Sequence, residues 1–208
     1  MVDLDSFKKG IDVSRYQGAI DWHAVAAAGI QDAMIKMSEG GTYTDPQFEE
    51  NWLGATAEKL SVGVYHYFRA LSSTPQAQAD SILKGLNIVG FDPLKNSLAI
   101  DVEEAGNIGA TGDQIADNLY ELLRLIGEHV IPGNRATIYA SPQEWNSLVN
   151  CEKYDFSEYP LWVAHCNVKT PCLPKSWEAK GKAWVRWQYC ENGIVSGIDA
   201  PVDLNWVK

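Results

Sequence analysis

The chain has 208 residues, of which 46% are hydrophobic and 21% are charged. This length suits one domain with a sizeable core, and the composition excludes a disordered chain, a coiled coil and a collagen. The 17 basic and 27 acidic side chains give a net charge of −10, which disfavours general binding to nucleic acid or to an anionic membrane. No apolar run approaches the ~20 residues that span a membrane.

Short apolar segments alternate with helical stretches through most of the chain, as strands and helices do in α/β proteins. The predicted strands are Gly10–Val13, Ala33–Met37, Ser61–Phe68, Ser97–Val102, Ala136–Ala140, Leu161–His165, Ala183–Tyr189 and Val202–Trp206. The predicted helices are Trp22–Ala28, Pro46–Leu60, Pro75–Ile88, Gly112–Val130 and Pro142–Val149. Asp45 and Ser141 each precede a proline at a predicted helix start, and Thr111 with Gln114 resembles a capping box.

The alternation predicts parallel strands covered by helices, and eight strands suggest closure into a barrel. A barrel of eight full strand–helix units typically needs ~250 residues, and no clear helix follows residue 150. We therefore predict an α/β fold, an irregular TIM-like (β/α)5(β)3 barrel with helices only in its first part. A flavodoxin-like open sheet is the alternative, but its late strands would lack helices on one face.

Acidic side chains fall near the ends of three predicted strands: Asp12 on the first, Asp101 and Glu103 on the fourth, and Asp203 on the last. Parallel barrels carry their chemistry at the C-terminal ends of the strands. Asp101 and Glu103 are two residues apart, so both side chains should face the same way. Closure would bring Asp12 close to Asp203. Four carboxylates this close should raise at least one pKa and so supply a proton donor.

A lone Asp-x-Glu at a strand end is common, so the prediction of catalysis depends on the whole cluster. Several carboxylates could instead hold Ca²⁺ or Mg²⁺. No loop has the calcium-binding spacing, and we predict no metal and no cofactor. The four cysteines, Cys151, Cys166, Cys172 and Cys190, contain no C-x-x-C pair, which disfavours zinc. Three disulfide pairings are formally possible, but free buried thiols are the better prediction without a secretion signal.

Paired carboxylates beside aromatic rings suit cleavage of a glycosidic bond, where one acid protonates the leaving oxygen. Aromatic and amide side chains fall late in predicted strands, where they can face the acids: Tyr65, Tyr67, Tyr139, Trp162 and Gln188. Singly, each suits a core position better than a site. No G-x-S-x-G motif, phosphate loop or dinucleotide fingerprint is present. His66 and His165 fall in strands and fit hydrogen-bonded core positions.

At these residues the sequence resembles the glycoside hydrolase family 25 lysozymes, the CH-type N-acetylmuramidases. The matching segments are Gly10–Gly18, Ile20–Trp22, Lys36–Gly40, Gly63–Phe68, Ile100–Glu103, Ile138–Ser141, Leu161–Ala164, Trp187–Tyr189 and Val202–Asn205. They occur in family order along nearly the whole chain. The resemblance implies an irregular barrel that hydrolyses the β-1,4 bond between N-acetylmuramic acid and N-acetylglucosamine in peptidoglycan.

The resemblance also implies roles for the acids. Glu103 corresponds to the general acid, and Asp101 to a partner that polarises the N-acetyl group of the substrate or stabilises charge. Asp12 and Asp203 correspond to the remaining acids at the mouth. The implied groove residues are Glu39, Tyr65, Tyr139, Trp162 and Gln188. Retaining, inverting and substrate-assisted mechanisms all stay open, because the backbone spacing of Asp101 and Glu103 fits none of them uniquely.

We expect one catalytic domain over residues 1–208 with no separate wall-binding domain, acting as a monomer on bacterial peptidoglycan. The polar N-terminal segment has no apolar stretch of the signal-peptide type. This fits a phage endolysin that is made in the host cytoplasm and acts at the cell wall; a secreted enzyme is the alternative. An inactive glycan-binding barrel is a rival function, but it would have no reason to keep clustered carboxylates. A chitinase-like hydrolase would show a longer run of alternating acids.

Overall fold

The structure is a computed structural model that describes residues 4–208, with the backbone only at position 5. Its strands are β1 Lys8–Val13, β2 Asp32–Glu39, β3 Tyr43–Thr44, β4 Ser61–Tyr67, β5 Ser97–Asp101, β6 Thr137–Ala140, β7 Leu161–Ala164, β8 Trp184–Gly193 and β9 Val202–Val207. Its α-helices are α1 Trp22–Ala27, α2 Phe48–Ala57, α3 Pro75–Val89, α4 Gly112–Leu125, α5 Pro142–Leu148 and α6 Lys175–Ala179. No helix among these residues is long and apolar enough to cross a membrane.

The sheet closes on itself because β1 pairs with β2 on one side and with β9 on the other. The wall follows the order β1-β9-β8-β7-β6-β5-β4-β2, while the short β3 pairs only with β2 as a hairpin. The prediction of an irregular α/β barrel is confirmed, and the flavodoxin-like alternative is wrong.

The last strand departs from the predicted parallel arrangement, because β9 runs antiparallel to both β1 and β8. Only residues 194–201 join β8 to β9, and a parallel return requires a crossover of a dozen or more residues. The chain therefore turns back on itself. As a result, the beginning of β9 lies at the end of the barrel where the parallel strands finish. This direction places Asp203 opposite Asp12 in the strand register.

Several predicted boundaries were wrong for local reasons. Helix α2 begins at Phe48 rather than Pro46, because the Oδ1 atom of Asp45 accepts the backbone N–H of Gln47 at 2.9 Å and forms a turn there. The short helix α6 lies between β7 and β8, where no clear helix was predicted. The last predicted turns of the fourth helix form a separate π-helical segment, Ile126–Val130. The hairpin strand β3 was also missed.

The predicted starts of the other four helices are confirmed. Ser141 accepts the backbone N–H of Glu144 at the start of α5, and Thr111 and Gln114 form a capping box at the start of α4. All four cysteines are free thiols, but their predicted burial is wrong: Cys172 is exposed, and the other three are half-buried.

Side chains inside the barrel are stacked in layers, and those that alternate with them point outwards into the helix layer. The middle layer is apolar and contains Met34, Ala99 and Trp162. Ile100 and Val102 belong to the outer core, as predicted. Beneath the middle layer, Arg186 and Asp32 form a buried ion pair with an Nη1–Oδ1 distance of 2.5 Å. The apolar middle layer separates this ion pair from the polar side chains on its other side, which face the opposite end of the barrel.

Candidate active site

All nine predicted site residues lie at this open end of the barrel. A cavity of about 340 Å³, hereafter the mouth cavity, is lined by the acids Asp12, Asp101, Glu103 and Asp203 and by Glu39. A recess of about 80 Å³ touches the same four acids and is completed by Tyr65, Tyr139, Trp162 and Gln188. The structure thus brings the predicted residues into one continuous site.

Two side-chain relays orient hydrogen-bond donors towards Asp12. The Tyr139 hydroxyl donates to Gln188 Oε1 at 2.9 Å, and Gln188 Nε2 donates to Asp12 Oδ2 at 3.0 Å. Trp162 Nε1 donates to Asn205 Oδ1 at 2.8 Å, and Asn205 Nδ2 donates to the same Asp12 oxygen at 2.7 Å. Because each amide oxygen is already occupied, each NH₂ group is held towards the carboxylate. Asp12 is therefore stabilised as an anion despite its burial.

Trp162 was predicted as a groove residue, and it forms the buried floor of the recess. Its ring meets those of Tyr139 and Tyr65 edge to face, at centroid distances of 4.7 and 6.3 Å. It is only 2% exposed. Its indole cannot present a free face to solvent, so its contribution to the site passes mainly through Asn205.

Asp12 and Asp203 behave as a coupled pair of acids. Their carboxyl groups are in hydrogen-bond contact across β1 and β9. Burial raises the pKa of Asp203 to about 8, and the negative charge of Asp12 adds to this rise. Burial also raises the pKa of Asp12, although the two amide donors oppose it. The pair therefore shares one proton near neutral pH, since two adjacent carboxylates avoid ionising together.

Asp101 and Glu103 form the second pair of acids. Asp101 is the last residue of β5, and Glu103 lies beyond the strand. Burial raises the pKa of Asp101 well above its ordinary value, and the charge of Glu103 adds to the rise. Its Oδ1 atom is buried and has no hydrogen-bond partner in the described part of the chain. An unsatisfied buried oxygen costs free energy, which a substrate group that bonds to it would recover.

Glu103 is placed to donate a proton. Burial raises its pKa, although a hydrogen bond of 3.1 Å from the Tyr67 hydroxyl to Oε2 opposes the rise. Glu103 also lines a further cavity of about 590 Å³, and it is the residue that the linings of this cavity and the mouth cavity share. It therefore stands at the junction of two halves of a groove.

Glu39 lies in an ion-paired cluster at the edge of the mouth cavity. Lys36 Nζ lies 2.9 Å from its Oε2 atom, and the Arg69 guanidinium pairs with its Oε1 atom. Arg69 also donates to the backbone carbonyls of Ala105 and Gly106, at 3.4 and 3.2 Å, and so holds the loop that follows Glu103.

Sequence reasoning missed four residues of the site: Lys36, Arg69, Asn205 and, as a partner of Glu103, Tyr67. Lys36 had a visible signal, since it is a charged residue between the apolar Ile35 and Met37 in the middle of β2. Asn205 had a weaker one, an amide within the last strand. Nothing in the local sequence of Arg69 indicates its contact with Glu39.

The two histidines that were predicted in strands hydrogen-bond to groups other than the four acids, although His165 lines the cavity of about 590 Å³. His66 is buried in the helix layer, where its ring nitrogens contact Ser38 Oγ at 2.8 Å and Gln78 Oε1 at 3.2 Å. Its predicted core position is confirmed. His165 lies just past β7 and is only half-buried, so its predicted core position in a strand is wrong. Its Nδ1 atom accepts the backbone N–H of Cys172 at 3.0 Å. Within residues 4–208, no group of three or more His, Cys, Asp or Glu side chains is arranged to hold a metal ion. A metal-free site stays a prediction.

The coupled acids predict an unusual pH dependence of stability. With a pKa of about 8 in the folded protein and about 4 after unfolding, Asp203 holds its proton more tightly when folded. The folded state then binds more protons than the unfolded state, so the free energy of unfolding should fall as pH rises through this window. We expect Asp203→Asn to raise the melting temperature at about pH 9 and to leave it unchanged at about pH 4.

Thermal melting across this pH range, followed by circular dichroism, tests the expectation. Asp199→Asn is the matched control, because Asp199 is exposed in the same segment of the chain. The same pH dependence for wild type and Asp203→Asn would show that Asp203 is not the group responsible.

Comparison with known proteins agrees with this geometry. The sequence model described as glycosyl hydrolases family 25 matches residues 11–198. Uncharacterized protein YegX of Escherichia coli strain K12 is 34% identical over 202 residues, which cover 94% of this chain and 68% of that protein. Lysozyme M1 of Streptomyces globisporus is 31% identical over 207 residues, which cover 95% of this chain and 66% of that protein.

Similarity extends to three dimensions. The crystal structure of the bacterial lysozyme from Streptomyces coelicolor aligns with a TM-score of 0.84 at 29% identity, covering 98% of this chain and 93% of that one. The family match includes three of the four acids, and the fourth, Asp203, lies five residues beyond its last matched position. The chain belongs to family 25 of the glycosyl hydrolases.

Proposed function

We propose that Glu103 is the general acid with which this peptidoglycan-hydrolysing muramidase cleaves the β-1,4 bond between N-acetylmuramic acid and N-acetylglucosamine. The observation that carries the proposal is the position of Glu103. It is a largely buried carboxyl with a raised pKa, at the junction of two groove halves and next to the unpaired oxygen of Asp101. A raised pKa keeps the proton available at the pH where the acid must give it up.

In the first step, Glu103 protonates the glycosidic oxygen while the bond from the anomeric carbon to that oxygen breaks. The N-acetylglucosamine side then leaves as an alcohol. The sugar that stays behind gains positive charge at its anomeric carbon. The anion of Asp12, with Asp203 beside it, supplies negative potential below this carbon.

Of the three mechanisms left open by the sequence, we favour the substrate-assisted one. The recess of about 80 Å³ beside Asp101 suits a small planar substituent such as the 2-acetamido group. Asp101 would orient that group, so that its carbonyl oxygen forms a bond to the anomeric carbon as the leaving group departs. Water, deprotonated by the Glu103 carboxylate, would then open this ring and restore the acetamido group. Two displacements at one carbon give net retention of configuration.

We also propose that residues 1–208 act as one catalytic domain, as a monomer, at the bacterial cell wall. The single closed barrel supports one domain, since its first and last strands pair with each other. The groove at its mouth supports direct recognition of the glycan strand.

The bond that is cleaved can be identified from the new reducing ends. Purified cell walls are digested, the products are reduced with borohydride, and the reduced sugars are identified by mass spectrometry. We expect muramic acid to be the reduced sugar, because it carries the anomeric carbon beside Glu103. Reduced glucosamine would contradict the proposal. An absence of new ends would instead favour the inactive glycan-binding barrel, and Glu103→Gln is the negative control.

A further inference from the structure

A ladder of alternating tyrosine rings and cations runs beside the mouth cavity, and its members Tyr16, Lys36 and Tyr67 line that cavity. The Arg15 guanidinium lies 5.1 Å from the ring centroid of Tyr16 and 5.7 Å from that of Tyr43. Lys36 Nζ lies 5.9 Å from the Tyr43 centroid and 4.7 Å from that of Tyr67. At the inner end of the set, the Tyr67 hydroxyl donates a hydrogen bond to Glu103. We call this set of side chains the tyrosine ladder.

The outer end of the tyrosine ladder is the ring of Tyr16, which is fixed in a solvent-exposed position. Tyr16 is 72% exposed and lines the mouth cavity. A capping box fixes its turn, in which Ser14 Oγ accepts the backbone N–H of Tyr16 and Gln17 Oε1 accepts that of Ser14. Gln17 Nε2 also donates to the carbonyl of Pro201 at 3.0 Å, which joins the turn to the segment before β9. A rigid, exposed ring loses little conformational entropy when a ligand packs on it.

Arg15 is also available to a ligand. The other arginines each form an ion pair: Arg69, Arg124, Arg135 and Arg186. Arg15 is exposed, and it has no carboxylate partner within ion-pair distance in the described part of the chain. Its Nη2 atom donates to the Tyr16 hydroxyl at 3.4 Å, which holds the cation beside the ring. In a protein with a net charge of −10, a guanidinium without a carboxylate partner beside an exposed ring suits an anion carried on a flat-faced ligand.

We propose that Tyr16 and Arg15 form an outer saccharide subsite for a muramyl unit of the glycan strand, away from the bond that is cleaved. The Tyr16 ring packs against the face of the sugar, and the Arg15 guanidinium pairs with a carboxylate on its lactyl substituent. Muramyl units carry that carboxylate either as the free lactyl acid or at the end of the stem peptide, whereas glucosamine units carry none. The inference rests on the proposed function and adds that the lactyl-linked carboxylate of the substrate is recognised at the edge of the groove.

Chain length tests the stacking contact. The values of kcat and KM are measured on long glycan strands and on the shortest peptidoglycan oligosaccharide that the wild type cleaves. For Tyr16→Ala, we expect kcat/KM on long strands to fall about tenfold, mainly through KM, and kcat/KM on the short substrate to stay within about twofold. Tyr16→Phe should keep most of the activity on long strands, because it retains the ring.

Tyr120→Ala is the matched control, since Tyr120 is a partly exposed tyrosine on α4, outside the groove. It should leave kcat/KM on both substrates unchanged. If Tyr16→Ala reduces kcat/KM on both substrates equally, or on neither, the outer subsite is overturned. Failure of the proposed function would look different, because the wild type itself would then produce no muramic acid ends.

Charge tests the second contact. Arg15→Gln and the control Lys84→Gln, which removes an exposed charge on α3, are assayed on three kinds of strand. These carry intact stem peptides, free lactyl acids, or lactyl acids converted to amides. We expect Arg15→Gln to raise KM several-fold on at least one acidic strand and to have no effect on the amide form. If KM rises only on strands with free lactyl acids, Arg15 contacts the lactyl carboxylate. If KM rises only on strands with stem peptides, Arg15 contacts a carboxylate of the peptide. Equal KM changes on acidic and amide strands would overturn the carboxylate contact.

Discussion

Glu103→Gln should abolish lysis of purified cell walls while the barrel stays folded. The glutamine cannot donate a proton to the glycosidic oxygen, and loss of a general acid typically costs on the order of 10³-fold in rate. The side chain keeps its size, so the hydrogen bond from Tyr67 can be retained by the amide oxygen. Turbidity of a cell-wall suspension measures the activity, and thermal melting measures the fold.

The neighbouring Glu104→Gln is the matched control, because it makes the same chemical change at an exposed position one residue further along. A substrate with an aryl leaving group separates proton donation from a structural role. Such a leaving group departs without a proton, so Glu103→Gln should form products from it at a rate much closer to that of the wild type. Wall lysis within about tenfold of the wild type would remove Glu103 from the role of general acid.

Asp101→Asn should lower kcat by about 10²- to 10³-fold, the range typical for loss of one preorganised polar contact in a transition state. The reason is the unpaired Oδ1 atom of Asp101 beside the recess. A carboxyl group with a raised pKa can exchange a proton with the acetamido group of the substrate, whereas the carboxamide of asparagine cannot. Steady-state kinetics on soluble glycan strands measure the effect.

The decisive comparison uses strands from which the N-acetyl groups of muramic acid have been removed. The wild type should lose much of its activity on them, and Asp101→Asn should lose little more, because both changes remove the same interaction. Losses that multiply would show that Asp101 acts independently of the acetamido group. An inverting or a covalent-nucleophile mechanism would then be preferred.

The barrel was predictable because each strand and helix can be recognised from the residues within it and beside it. Alternating apolar strands and capped helices place Asp12 and Asp101 near strand ends, and these assignments depend only on nearby residues. The direction of β9 was not predictable in this way, since it depends on a short connection that forms no helix. The start of α2 failed because the side chain of Asp45 caps a turn rather than the helix.

The site was predictable where the residue type itself is unusual in its surroundings. Clustered acids and an amide within a strand indicate function, and Asp12, Asp101 and Gln188 were found in this way. The supporting contacts were less accessible. Arg69 reaches Glu39 from another strand end, and the amide of Asn205 is oriented by Trp162 from across the barrel. Such pairings depend on three-dimensional packing, which no local pattern contains.

The meeting of β1 with β9 has a consequence for biosynthesis. Asp12 is translated long before Asp203 and Asn205, its partners on β9. Until β9 has been translated, the cylinder has a gap, and the Asp12 carboxylate lacks both its acidic partner and one amide donor. We therefore expect a nascent chain without β9 to be inert, and hydrolytic competence to require the pairing of β1 with β9.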